Sequence, residues 1–487
     1  MPTKISDTPE AIHEALRLDA ATAPPALPGA WTATALLTPY GQYAPAMGAE
    51  KKYSQLVVAK ITYFGGPDLR AMRVGMYLPE DGAYIEWLFV TKGTLSVWGW
   101  VKAAPGGRDQ GTLGPFVTTA VVPEADFLVK AGASYKGYWP LFNQDTWHFL
   151  ALTSENQGQK YGNWYSFNNA GNLSRVLNIP ADNSLRLPVL GAYFMANTVG
   201  FQPLADTSDL VARANALLDP ASGGAELEAS DYVNPMLTQV DLGNAIANPL
   251  WSAPCTLADI QAVLPGYAPL PNWPLPQWSE TVKITGYTLG ENTIPFYTEV
   301  YYSNPMQRQR SEFVGWGPGT AEGYNYRQDT VLYSDYFNDV QYQLINGQWQ
   351  KPTCHREPGI GYPRPNFPER MGAVVKGTIT GNVEFGLAPG RSLYMTLAEM
   401  PRPAVKRGQP PNVCAFWDWW RDDQSGVIFT ESEVSTPPRH NLSVIDYVTF
   451  ERNAPVGPGD FADPCQTVTA EETSVPSAKT PTGHRSQ

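Results

Sequence analysis

The chain has 487 residues, of which 43% are hydrophobic, 12% aromatic and only 16% charged, with a net charge of −12. That length exceeds one ordinary core and implies two to three domains. The acidic balance, with no cationic run interleaved with aromatics, argues against a nucleic-acid partner, and no unbroken apolar stretch reaches the roughly 20 residues of a membrane-spanning helix.

Residues 1–30 read as a short helix and linker, with Thr8 as cap, Pro9 in the first turn and Ile12, Leu16 and Leu18 on the apolar side. No basic segment followed by an apolar one stands here, so the expected location is cytoplasmic, or secreted if the sequence is a mature form. Residues 31–200 form a strand-rich stretch in which Tyr53–Tyr63, Ala71–Leu78 and Ala83–Val101 are dense in β-branched and aromatic residues. Residues 201–275 read as a helical, Pro-rich connector. Asp206–Asp219 places Leu210, Ala214, Leu217 and Leu218 on one helical face, and Thr256–Leu264 predicts a second short helix. Residues 276–455 return to strands, including Glu280–Tyr287, Pro295–Tyr302, Thr330–Gln343 and Met371–Glu384. Residues 456–487, chiefly from Asp463 onward, lack apolar periodicity and predict a disordered tail.

The two strand-rich stretches resemble each other. Leu27-Pro28 before Trp31 is matched by Leu275-Pro276 before Trp278. Tyr63 to Arg70 aligns without gaps on Tyr301 to Arg308, with Pro67 over Pro305. Asn163-Trp164-Tyr165 through Gly171 aligns on Asp418-Trp419-Trp420 through Gly426. Three blocks in one order predict an internal duplication. The expected fold is mainly β: two tandem, diverged antiparallel units, each a barrel or curved sheet, joined by the partly helical connector.

The stretch from Cys354 to about Ile445 resembles the ependymin-related proteins. It holds a Cys followed by prolines, a strand ending at Gly386-Leu387, a second Cys at 414 before an aromatic hairpin, and Thr436-Pro437-Pro438. Arg439-His440 stands where the family's final Cys would fall, which departs from its disulfide pattern. The resemblance implies a curved sheet with an apolar pocket and no catalysis.

No nucleotide, metal or nucleophile motif is present, so neither cofactor nor metal is expected. The four cysteines (255, 354, 414 and 465) form no C-x-x-C pair and are expected as free thiols. Cys354 and His355 are strand neighbours facing opposite ways, which disfavours a shared zinc. His148, near Asp145 and beside Trp147, is either a pocket acid or base or a strand histidine satisfied by a carbonyl. The window around Trp419 and Trp420 is either a stacking platform or packed core. Trp147, Trp164, Tyr165, Trp419 and Trp420 are the ring residues expected to line a ligand site, with Trp164, Tyr165, Trp419 and Trp420 inside their own units.

The leading expectation is a binding protein for a hydrophobic or amphipathic small molecule. One alternative is a cofactor-independent cyclase or isomerase, with His148 and Asp145 as its first candidates. The other is a structural or assembly protein, a homodimer included, that uses aromatic anchors.

Overall fold

A computed structural model describes residues 14–17, 22–40, 57–78, 83–103, 111–117, 121–142, 144–156, 159–178 and 193–219, and then 281–290, 295–317, 325–335, 340–345, 353–358, 374–380, 392–402, 412–422, 428–435 and 441–461. The first sheet is built from β1 (Ala30–Tyr40), β2 (Val57–Gly65), β3 (Leu69–Leu78), β4 (Ala83–Lys92), β5 (Leu95–Ala103) and β6 (Gly111–Val117). After the one-turn helix α1 (Phe127–Lys130) come β7 (Ser134–Leu141), β8 (Gln144–Asn156), β9 (Gln159–Asn168), β10 (Leu173–Asn178) and β11 (Tyr193–Pro203). Helix α2 (Ser208–Leu218) follows.

The second sheet comprises β12 (Thr281–Gly290), β13 (Phe296–Ser303), β14 (Arg308–Gly317), β15 (Asn325–Asp335), β16 (Val340–Ile345) and β17 (Thr353–Pro358). It is completed by β18 (Val374–Thr380), β19 (Ser392–Arg402), β20 (Asn412–Asp422), β21 (Ile428–Ser435) and β22 (Asn441–Arg452), with a 3-10 turn at Pro458–Phe461.

Both sheets have eleven antiparallel strands and one strand order. The first runs β6-β5-β4-β3-β2-β1-β11-β10-β9-β8-β7, and the second runs β17-β16-β15-β14-β13-β12-β22-β21-β20-β19-β18. The turns at Pro67 and Pro305 both link second to third strands, and Gly65 faces Arg70 as Ser303 faces Arg308. Trp164 lies on β9 and Trp419 on β20, again matching places in the order. The segments around Trp278, Thr256–Leu264 and Gly426, most of residues 1–30 and the chain from Asp463 lie outside the described residues.

Neither sheet closes into a barrel. In the first sheet the two edge strands, β6 and β7, are joined by a segment that folds onto one face. There Val122 and Leu128 pack with Leu27, Trp31, Tyr63, Phe149 and Phe167. Closing eleven strands would also enclose a wide lumen, which covering one face avoids.

The apolar face of the first sheet alternates as a half-buried sheet must. One rung crosses five strands: Trp31 faces Tyr63, Tyr63 faces Met72, Met72 faces Phe89, and Phe89 faces Trp98. The reverse face is covered in two places. Helix α2, expected within the connector, instead docks Leu210 and Ala214 on Ala71, Val90 and Val97 of the first sheet. The second sheet covers the part formed by β7–β10.

Candidate functional site

The reverse face of β7–β10 carries Trp139, His148, Trp164, Ser166 and Arg175, all sealed from solvent. Arg175 and Asp446 of β22 are both fully buried and form a bidentate ion pair, with Nη1 and Nη2 each 2.6 Å from a carboxylate oxygen. Trp139 donates its indole N–H to Asp446 Oδ2 at 2.9 Å, and Thr430 Oγ1 donates to Oδ1 at 3.2 Å. Burial, the largest single cause, would raise the Asp446 carboxyl, but Arg175 with His148 and Trp139 together hold the group below its ordinary value. Trp139 also stacks on Tyr287 of β12 at 4.8 Å, Trp164 donates its indole N–H to the Gly290 carbonyl at 2.9 Å, and Phe142 meets Trp420 edge-on at 6.0 Å.

His148 lies flat beneath Trp139, with ring centroids 3.6 Å apart. Nε2 contacts the Trp139 carbonyl oxygen at 3.1 Å, and Nδ1 contacts Ser166 Oγ at 2.9 Å. Burial is the main cause that pushes its pKa down to about 3; Asp446 opposes this, and Arg175 adds to it. At neutral pH the ring is neutral and both nitrogens are occupied. Asp145 is exposed and, three residues away on β8, points from the opposite face. The structure therefore does not bring Asp145 and His148 together as an acid–base pair.

The ring residues also divide by face. Trp147 and Tyr165 are half-buried on the apolar face, where Tyr165 meets Phe127 at 5.3 Å and Trp147 meets Tyr138 at 4.7 Å. Trp164 points the other way and fills the space between the sheets, not the interior of its own unit as expected. An open sheet has two faces to cover, and the pleat delivers adjacent rings to each. Trp420 is buried against the first sheet, and Trp419 is placed only by its strand, β20. Cys354 and His355 lie side by side on β17, opposite Leu344 and Gln343. Among the described residues no group of three or more His, Cys, Asp or Glu is placed to hold a metal, and no helix is long and apolar enough to cross a membrane.

The sequence reading missed two features. One is the Arg175–Asp446 lock, whose partners are 271 residues apart. The other is a buried ionic patch on the second sheet, where Lys283 Nζ lies 3.0 Å from Glu299 Oε1, Tyr301 Oη donates to the same oxygen at 2.7 Å, and Arg310 pairs with Glu312. That Glu299 faces Glu312 depends on the register of β13 on β14, which the alternation of either strand does not fix.

The fold and site define a mainly β protein of two open antiparallel sheets, with an apolar aromatic face on the first and an ionic lock between them. No known protein family and no curated protein matches the chain. Among solved structures, an uncharacterized conserved protein from Thermus thermophilus aligns at 12% identity, over 36% of this chain and 79% of that one, with a TM-score of 0.21. MucB in complex with MucA(peri) aligns at 10% identity, over 66% and 83%, with a TM-score of 0.17. The Pseudomonas aeruginosa MucA/MucB complex aligns at 10%, over 66% and 84%, also at 0.17. Superpositions this loose carry no functional argument.

Proposed function

We propose that the first sheet's aromatic face binds a hydrophobic or amphipathic small molecule. One observation carries this reading: along the Trp31–Tyr63–Met72–Phe89–Trp98 rung, the first two side chains are buried and the last three remain only half-buried. Ile61 and Val176 beside them are half-buried as well. An apolar ladder left partly open is unfavourable in water, because each exposed Å² forgoes about 25 cal/mol of burial. A ligand would recover it. Met72 suits such a site, since its unbranched side chain adapts to irregular apolar shapes. The shared strand order supports reading the second unit as a copy of the first.

The experiment is solvent extraction of the purified chain with mass spectrometry of the extract, alongside binding of an environment-sensitive apolar dye. Phe89→Ala and Trp98→Ala are expected to weaken dye binding at least tenfold while leaving the melting temperature nearly unchanged. An empty extract, together with dye binding untouched by both variants, would overturn the proposal.

A further inference from the structure

The two sheets can be compared rung by rung. In the first, Trp31 faces Tyr63 and Tyr63 faces Met72, while Ala33 faces Ile61 and Ile61 faces Val74. In the second, Lys283 faces Tyr301 and Tyr301 faces Arg310, while Thr285 faces Glu299 and Glu299 faces Glu312. Five corresponding positions are thus apolar or aromatic in one sheet and carry Lys, Arg, Thr, Glu and Glu in the other, while Tyr63 and Tyr301 are the same residue. The fold itself does not require an ionic patch here, since the first sheet does without one.

Glu299 and Glu312 are directly opposed residues of adjacent strands and are 0% and 1% exposed. Side chains so opposed have Cβ atoms about 4.5–5.5 Å apart, and like charges in that relation destabilise a sheet. Two buried carboxylates at such a separation do not ionise independently; one holds its proton longer. The donors decide which. Glu299 is held by Lys283 and by the Tyr301 hydroxyl, whereas Glu312 is held by Arg310, which also donates from Nη1 to the Asp460 carbonyl at 3.4 Å. Other charged groups surround the pair. Arg308 of β14 lies on the same face, Glu451 of β22 faces Lys283, and β15 places Val331 opposite Glu312 and Tyr333 opposite Arg310.

We propose that Glu299 and Glu312 form a one-proton switch: with the proton held by Glu312 the adjacent strands β13 and β14 stay tightly paired within the second sheet, and on its loss the two facing carboxylates loosen that pairing. The electrostatics agree. Burial is the main cause that raises the Glu312 carboxyl to about 7, Arg310 opposes it and Glu299 adds to it. The sign of the linkage follows. A carboxyl raised in the fold keeps a proton that the unfolded chain has released, so its stabilisation is full below about 4.5 and is lost as pH rises through about 7. This switch is separate from the apolar face of the first sheet and stands whether or not that face binds a ligand.

The test is hydrogen exchange of the intact chain, corrected for intrinsic rates, from about pH 6 to about pH 8. Protection of β13 and β14 is expected to fall severalfold across that range in the wild type. Glu312→Gln, which keeps the shape and cannot ionise, is expected to hold protection constant. Glu299→Gln is expected to move the fall to lower pH without abolishing it, because the facing charge adds to a rise that burial mainly supplies. Protection equally pH-dependent in the wild type and in Glu312→Gln would overturn the switch. If either variant does not fold, carbon-13 titration of the wild-type glutamate carboxyls decides. A midpoint near 7 supports the switch, and glutamates all titrating near 4.5 overturn it.

Discussion

Asp446 accepts hydrogen bonds from Arg175, Trp139 and Thr430, and every one of these partners is buried with it. Replacing a buried ion pair by apolar groups of similar size can be neutral, but removing one partner leaves a charge stranded in a low dielectric. Arg175→Met is therefore expected to cost about 3–5 kcal/mol. The double variant with Asp446→Leu should recover most of that loss. Urea unfolding of the two single variants and the double variant measures the coupling, and additive losses would mean the pair contributes nothing as a unit. His148 belongs to the same cluster. Its low pKa arises mainly from burial, and its ring is packed flat against Trp139.

Among the elements, the edge strand β7 shows how the sheet is protected. Its Tyr138 N–H would point to solvent, but it donates to the Leu16 carbonyl at 3.0 Å, and the Tyr135 hydroxyl donates to the same oxygen at 2.7 Å. Arg17 lies 3.8 Å above the Tyr138 ring. The contact needs Gly137, because a Cβ there would meet the Trp139 ring at 2.7 Å and Leu16 Cδ2 at 3.0 Å. Unprotected edge strands pair with other chains. Removing residues 1–18 is expected to cause concentration-dependent self-association, read by sedimentation velocity; a strictly monomeric truncated chain would refute the role. The alternation that predicted the strands, and the Leu210 and Ala214 spacing that predicted α2, are local patterns and were legible in the sequence. That α2 docks on Ala71, Val90 and Val97 was not, because nothing in a helix's own period names the surface it covers.

At the scale of the whole molecule, the two sheets are not independent beads. Trp139, Trp164 and Arg175 of the first are buried only because Tyr287, Gly290 and Asp446 of the second lie against them. Residues 1–219 produced alone would expose two large rings and leave the Arg175 guanidinium without Asp446. Such a fragment is expected to aggregate or to melt well below the full chain, by more than the roughly 2–4 °C that each lost kcal/mol costs a domain of this size. A soluble fragment with an unchanged melting temperature would show that the interlock contributes little. The sequence by itself determined the strand-rich composition, the two matching series of hairpins around Pro67 and Pro305, and α2. These rest on side-chain period and turn chemistry, which act over a few residues. Only the tertiary structure decided that the sheets stay open, that Trp164 and Tyr165 serve opposite faces, that His148 is closed off from Asp145, and that Arg175 meets Asp446. Each of these depends on which distant surface covers a face, and the alternation of a strand specifies only that some surface must.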